Sequence, residues 1–232
     1  MIMATGKPQV HLDKETGMRH FSDIYTQRHQ EAGWNVVQAA TLLIEGKKRK
    51  CGSLITYAAL EFRLAIEQLI FTAIAVGKGG KLDDATLKEC RKKDGLFRVL
   101  DEVSPKYSLR CRFSNALASF YPAIPQIAEW DVRSFKRYYT DLSEFCHSQL
   151  IIRDFDSDPT GWSKKISQLE EVYHFLATGM KKGTGVLEMK NVDPVIEDLW
   201  EKFSTGAINM EELRKRFSLV KPVWDSHRIF RP

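Results

Sequence analysis

Residues 54–76 form the most apolar stretch of this 232-residue chain and constrain its fold more than any other feature. The stretch reads LITYAALEFRLAIEQLIFTAIAV, and at about 100° per residue its apolar side chains cover nearly every side of a helix. Arg63 and Glu67 mark one edge that we expect to face solvent, and Glu61 and Gln68 form a second polar line. A helix of this kind, about 35 Å long at 1.5 Å per residue, is predicted to lie at the centre of a bundle.

The rest of the chain is also helical in pattern. β-branched alternating runs are nearly absent, and the chain has only 14 glycines and 8 prolines, so few hairpins can be drawn. Residues 31–45 carry an apolar face that ends at Gly46, made of Trp34, Val37, Ala40, Leu42, Leu43 and Ile44. Further helices are predicted at residues 83–91, 96–103 before Pro105, 110–121, 131–151, 163–175, from Pro194 onwards and 210–220. The predicted fold class is therefore all-α, an up-and-down helical bundle with a C-terminal helical extension.

The chain divides into three predicted parts. Residues 1–20 are polar and aperiodic, which is typical of a flexible arm. Residues 21–154 form the bundle, and residues 155–232 form the helical extension. The boundary falls in the polar, turn-forming segment RDFDSDPTG, residues 153–161.

Composition and motifs exclude several classes of protein. No apolar run is long enough to cross a bilayer and no secretion signal is visible, so we expect a soluble, cytoplasmic chain that does not bind membranes. Four scattered cysteines and six dispersed histidines give no metal-ligand spacing, and P-loop, dinucleotide-binding and hydrolase motifs are absent. We therefore predict no metal and no cofactor. The net charge of +5 permits a phosphate-bearing partner without requiring one.

A family resemblance covers about residues 31–150. It is carried by Trp34, Ala40, Leu43, Ile44 and Gly46, then by the run Tyr57-Ala58-Ala59-Leu60-Glu61 with Leu64, and by the polar turn Lys92-Lys93-Asp94-Gly95 that leads to Leu96 and Leu100. These residues resemble the first three helices of HEPN domains (higher eukaryotes and prokaryotes nucleotide-binding). The resemblance implies a homodimer with the fourth helix near the twofold axis, acting in RNA-targeting defence or in a toxin–antitoxin system.

Ribonucleases of that family carry an R-x4-6-H motif on the fourth helix. This chain places His147 on its predicted fourth helix, but Thr140, Asp141 and Leu142 stand where the arginine belongs. The resemblance therefore implies either a divergent, metal-independent endoribonuclease or an inactive member that binds RNA or a nucleotide.

Three residues are candidates for catalysis: His147, Ser143 and Glu61. Helical spacing places Ser143 and His147 on one polar stripe with Lys136 and Thr140, where they offer groups for phosphate binding or for a simple hydrogen bond. Glu61 on the central helix is expected to orient His147 or, alternatively, to pair with a neighbouring cation in a structural role.

Eight basic residues are candidates for RNA binding: Lys47, Lys48, Arg49, Lys50, Arg91, Arg133, Lys136 and Arg137. If the loops that hold them converge, they form one positive surface suited to an RNA backbone; otherwise each cluster is a solvated face.

The alternative function is a non-catalytic protein–protein interaction or adaptor module. Its partner would contact the C-terminal helices, whose large apolar residues are suited to covering either the bundle or a partner: Trp200, Phe203, Leu213 and Phe217.

Overall fold

The computed structural model describes residues 18–20, 32–92, 94–121, 126–147, 159–182 and 193–219, with only the backbone at 18–20, 81, 147 and 159. Residues 1–17 of the predicted arm (1–20) and residues 153–158 of the predicted boundary (153–161) lie outside the described residues. The elements in chain order are β1 (Met18–His20), α1 (Ala32–Arg49), α2 (Gly52–Gly77), β2 (Lys81–Asp83), α3 (Asp84–Cys90), α4 (Gly95–Phe120), α5 (Val132–His147), α6 (Pro159–Met180), α7 (Pro194–Ser204) and α8 (Met210–Leu219).

Helices make up nearly all of the described chain, which confirms the all-α class. The two short strands form an antiparallel ribbon in which Arg19 is paired with Leu82. This ribbon was not predicted, because three-residue strands leave no alternating pattern in the sequence. No helix in the described ranges is long and apolar enough to span a membrane.

Helix α2 lies at the centre of the main core, as its apolar run predicted. It packs against α1, α4, α5 and α6, and fourteen of its residues are buried. Helix α1 approaches closely at Gly46, where an added Cβ would lie 2.6 Å from Cδ1 of Ile55. A side chain at position 46 would therefore push the two helices apart.

The apolar face predicted for α1 is wrong in part. Trp34, Val37 and Ile44 are 55%, 58% and 64% exposed, whereas the neighbouring stripe of Val36 and Ala39 is buried with Leu43. Helix α1 carries apolar residues on two sides, and the side with the small residues Ala39 and Gly46 allows the closer approach to α2.

Helix α4 is continuous from Gly95 to Phe120, although the sequence predicted two helices interrupted at Pro105. Proline cannot donate to the carbonyl four residues earlier, but the hydroxyl of Ser104 donates to that oxygen, on Asp101, at 3.1 Å. The helix continues through Pro105 because both of its halves are anchored by packing.

Two cores meet on α4. Its first half packs in the main core through Val99, Leu100 and Val103, and its second half forms a separate core with α7 and α8 around Phe113. Helix α6 follows the predicted domain boundary in sequence, yet Leu169 and its other buried residues belong to the main core. In space, the segment that forms the second core with α4 is therefore α7–α8.

The carboxylate of Asp83 caps α3 by accepting a hydrogen bond from the backbone N–H of Thr86. This hydrogen bond holds the pKa of Asp83 below its ordinary value. A lowered pKa means that the stabilisation is complete above the pKa of the unfolded chain, about 3.9, and is lost as the pH falls through the folded value.

We therefore expect Asp83→Ala to lower the free energy of unfolding by about 1 kcal/mol at pH 7, and by much less at pH 3. Thermal melts of both proteins between pH 3 and pH 7 measure the difference. Asp83→Asn is the control, because it keeps a capping oxygen without a titrating charge. A difference between wild type and Asp83→Ala that is equally large at pH 3 would contradict the assignment.

Candidate functional site

The last turn of α1 and the residue that follows it present four consecutive cationic residues, Lys47 to Lys50, and all four are exposed. Lys50 has a φ of 51°, and the N–H of Cys51 donates to the carbonyl of Gly46 at 2.9 Å, which closes the turn tightly. Lys47 forms an ion pair with Glu170 of α6, and Arg49 pairs with Glu45 at 2.9 Å. Within the described ranges no carboxylate pairs with Lys48 or Lys50, so these two charges point to solvent uncompensated. We call residues 47–50 the basic turn.

The other predicted RNA-binding residues are arranged differently. Lys136 pairs with Asp101 at 2.5 Å, and Arg137 pairs with Glu171 at 2.9 Å while its guanidinium lies 4.5 Å from the ring centre of Tyr138. Arg91 and Arg133 are exposed at the end of α3 and the start of α5. Helix α6 thus brings adjacent carboxylates, Glu170 and Glu171, to two of the predicted RNA-binding residues and reduces their availability.

The three predicted catalytic residues are not brought together among the described side chains. The hydroxyl of Ser143 donates to the carbonyl of Tyr139 on its own helix at 2.7 Å. The backbone of His147 closes α5, and its side chain lies outside the described residues. Glu61 lies about 200° around α2 from Arg63, which contacts α5, and its predicted role toward His147 stays a prediction.

Arg63 and Glu67 occupy the side of α2 that faces α5, and the prediction that they form a solvent edge is wrong in part, because both side chains are half-buried against that helix. The guanidinium of Arg63 donates to the hydroxyl of Tyr139 at 2.8 Å, and that hydroxyl donates to Glu67 at 3.0 Å. Arg63 also lies 4.8 Å from the ring centre of Tyr139 and 3.4 Å from a Glu67 oxygen. Phe97 of α4 packs edge-on against the same ring, with 4.9 Å between centroids.

We call Arg63, Glu67 and Tyr139 the Arg63 cluster. Burial raises the pKa of Tyr139, and burial also raises the pKa of the nearby Cys146 thiol even though Arg63 favours its thiolate. Cys146 is therefore protonated near neutral pH and a poor nucleophile. The hydrogen bonds to Tyr139 connect α2 to α5. Because Glu67 neutralises Arg63, the cluster exposes little net charge. A polar pair four residues apart on an otherwise apolar central helix is the sequence signal that predicts such a contact.

A cleft of about 600 Å³ lies between α4 and the start of α5. The hydroxyl of Tyr107 on its wall donates to the carbonyl of Ala128 and accepts from the N–H of Trp130, each at 2.9 Å. Burial raises the pKa of Tyr107 well above its ordinary value, so the hydroxyl keeps its proton. Three carboxylates, Asp101, Glu129 and Asp131, line the cleft together with Arg133. Lys136 pairs with Asp101 and Arg112 pairs with Glu129, so the charges at this cleft are largely compensated.

The basic turn is therefore the feature of the described chain best suited to an anionic polymer. Within the same ranges no group of three or more His, Cys, Asp or Glu side chains is arranged to hold a metal ion. No family model matches the chain, and no curated protein or solved structure matches it either.

Proposed function

We propose that the chain is an RNA-binding, HEPN-like helical protein that acts in RNA-targeting defence or in a toxin–antitoxin system. The observation that carries this proposal is the basic turn, where four exposed cations stand on consecutive residues and two of them lack a carboxylate partner in the described structure. Closely spaced cations on one turn suit the regularly spaced phosphates of a nucleic-acid backbone. The net charge of +5 favours the same class of partner.

The proposal includes a homodimer with α5 near its twofold axis and a cleavage site at the C-terminal end of α5. His147 would transfer or orient the proton of a 2′-hydroxyl, and Ser143 lies one turn before it. Helix α5 lacks the motif arginine, but Arg63 of α2 lies near Cys146, the residue before His147. Two forms of the protein fit this proposal, a divergent metal-independent ribonuclease and an inactive RNA-binding member.

The first readout of the test is RNA affinity. We expect Lys48→Ala/Lys50→Ala to bind a 12-nucleotide oligo(U) roughly 10- to 30-fold more weakly at 0.1 M salt, because two phosphate contacts are lost. The slope of log affinity against log salt should fall by about 1.4. Fluorescence anisotropy across a salt series measures both quantities.

The matched control is Lys181→Ala/Lys182→Ala, which removes the same charge from two exposed lysines after α6. Its affinity should stay close to that of the wild type. An equal loss in both double variants would mean that only net charge matters, and a wild type that binds no RNA would refute the proposal.

The second readout, cleavage, separates the two forms. Wild type and His147→Ala are incubated with labelled RNA in EDTA, and removal of a general acid–base group is expected to slow cleavage by 100-fold or more. RNA binding without any product identifies the inactive form. Equal products from both proteins remove His147 from the chemistry.

A protein–protein interaction module remains the second candidate, but its partner-binding surface differs from the one predicted from the sequence. The C-terminal residues Trp200, Phe203, Leu213 and Phe217 pack in the second core and so cover α4 within the chain. The exposed apolar residues of α1 and α2 favour that region as the partner-binding surface instead: Trp34, Val37, Ile44, Tyr57 and Leu60.

A further inference from the structure

Arg110 differs from the other arginines whose side chains the structure describes. Six of these arginines pair with a carboxylate, namely Arg49, Arg63, Arg98, Arg112, Arg137 and Arg216. Three others, Arg91, Arg133 and Arg214, are exposed to water. Arg110 is half-buried, and within the described ranges it has no carboxylate partner. Its position is the joint between the two cores, on α4 three residues before Phe113.

Two elements besides α4 itself contact the Arg110 guanidinium. It lies over the ring of Trp200 on α7, with its central carbon 4.5 Å from the ring centre. On another side it contacts the loop after α2, where a Cβ on Gly79 would lie 2.8 Å from a terminal nitrogen of Arg110. Gly79 also has a φ of 73°, so this loop combines a left-handed backbone with the close approach.

The nitrogens of this guanidinium are unequally satisfied. Nε is buried from solvent and has no hydrogen-bond partner in the described structure. Each terminal nitrogen, by contrast, is either accessible to solvent or hydrogen-bonded. Burial lowers the pKa of Arg110, which reports the cost of a cation that no anion compensates. Arginine does not relieve that cost by losing its proton, so an incoming anion is the partner that would.

We propose that Arg110 is an anion-binding residue at the joint between the two cores and that its ligand is a phosphate group. A guanidinium fixed on an aromatic ring presents its terminal nitrogens as a preorganised fork, the geometry that binds phosphate oxygens in pairs. The phosphate belongs either to a small free anion or to an RNA backbone, and the experiment separates these sources. The proposal is independent of the basic turn.

The test compares wild type with Arg110→Met in thermal melts with inorganic phosphate, using chloride at equal ionic strength as the reference. We expect phosphate at ten times its Kd to raise the Tm of the wild type by about 3–6 °C and to leave that of Arg110→Met unchanged. Arg110→Met should fold, because an apolar side chain of similar size replaces an uncompensated buried charge. Arg112→Met is the matched control on the same helix, and it should keep the full phosphate response because Arg112 is exposed and paired with Glu129.

A second arm uses the 12-nucleotide oligo(U). If the site binds backbone phosphate, Arg110→Met weakens oligo(U) binding and inorganic phosphate competes with the RNA. If it binds a free anion, oligo(U) binding is unchanged while the phosphate response is still lost. An equal phosphate response in wild type and Arg110→Met, or no response of the wild type to either probe, overturns the proposal, whatever the basic turn does.

Discussion

Replacing Phe62 by alanine is expected to lower the free energy of unfolding by about 3–5 kcal/mol. Phe62 is completely buried in the middle of α2, and its ring lies 6.4 Å from that of Tyr173 on α6. Truncation removes the transfer free energy of the ring and leaves a cavity that four surrounding helices cannot close without moving together. Since a domain is typically stable by about 5–15 kcal/mol, this variant loses a large share of its stability.

Urea denaturation followed by circular dichroism measures this effect, with Tyr57→Ala as the control on the same helix. Tyr57 is 58% exposed, so its truncation should change the unfolding free energy by only about 0.5 kcal/mol. If both variants lose the same stability, α2 is not the centre of the core.

The position of α2 was predictable because its apolar run leaves it no solvent face of any width. The orientation of α1 was not, since it has apolar residues on two sides and hydrophobicity alone does not choose between them. The choice depends on which side lets the backbones approach, and the small residues Ala39 and Gly46 decide it. The same limit applies to Arg63, whose partner Tyr139 is 76 residues away in sequence.

The path of α4 shows a different limit of local reasoning. A proline inside a helix is a sound local signal for a break, but packing on both sides of Pro105 outweighs it. The second core was also hidden, because its parts come from α4 and from the helices α7 and α8 more than 70 residues later. The apolar residues of α7 and α8 are suited to covering either the bundle or a partner, so the sequence does not indicate which of the two they pack on.

The candidate site was predicted best where it depends on consecutive residues. The basic turn needs only four adjacent cations at the end of α1, and the structure places all four at the surface. The pairing of Lys47 and Arg137 with neighbouring carboxylates of α6 depends on tertiary packing, so composition could not reveal it. Arg110 was missed for the same reason, since its lack of a counter-charge is visible only in three dimensions.

Phe113→Ala is expected to release α7 and α8 from α4 while the main core stays folded. Phe113 is buried at the centre of the second core, with its ring 5.3 Å from Trp200, 6.0 Å from Phe203 and 5.4 Å from Phe217. Losing this ring should cost about 3–5 kcal/mol, and the cost falls on a small core. Helices α7 and α8 have 11 and 10 residues, and helices of that length are marginal in water without packing.

Hydrogen exchange read by mass spectrometry distinguishes local release from global unfolding. Amides of α7 and α8 should exchange about 100-fold faster or more in Phe113→Ala, while those of α2 keep their protection. Phe120→Ala is the control on the same helix, because Phe120 is 37% exposed and meets only the edge of this core, 6.1 Å from Phe217. Equal loss of protection in α2 would contradict local release. It would show that α4, which is shared by both cores, couples them into one cooperative unit.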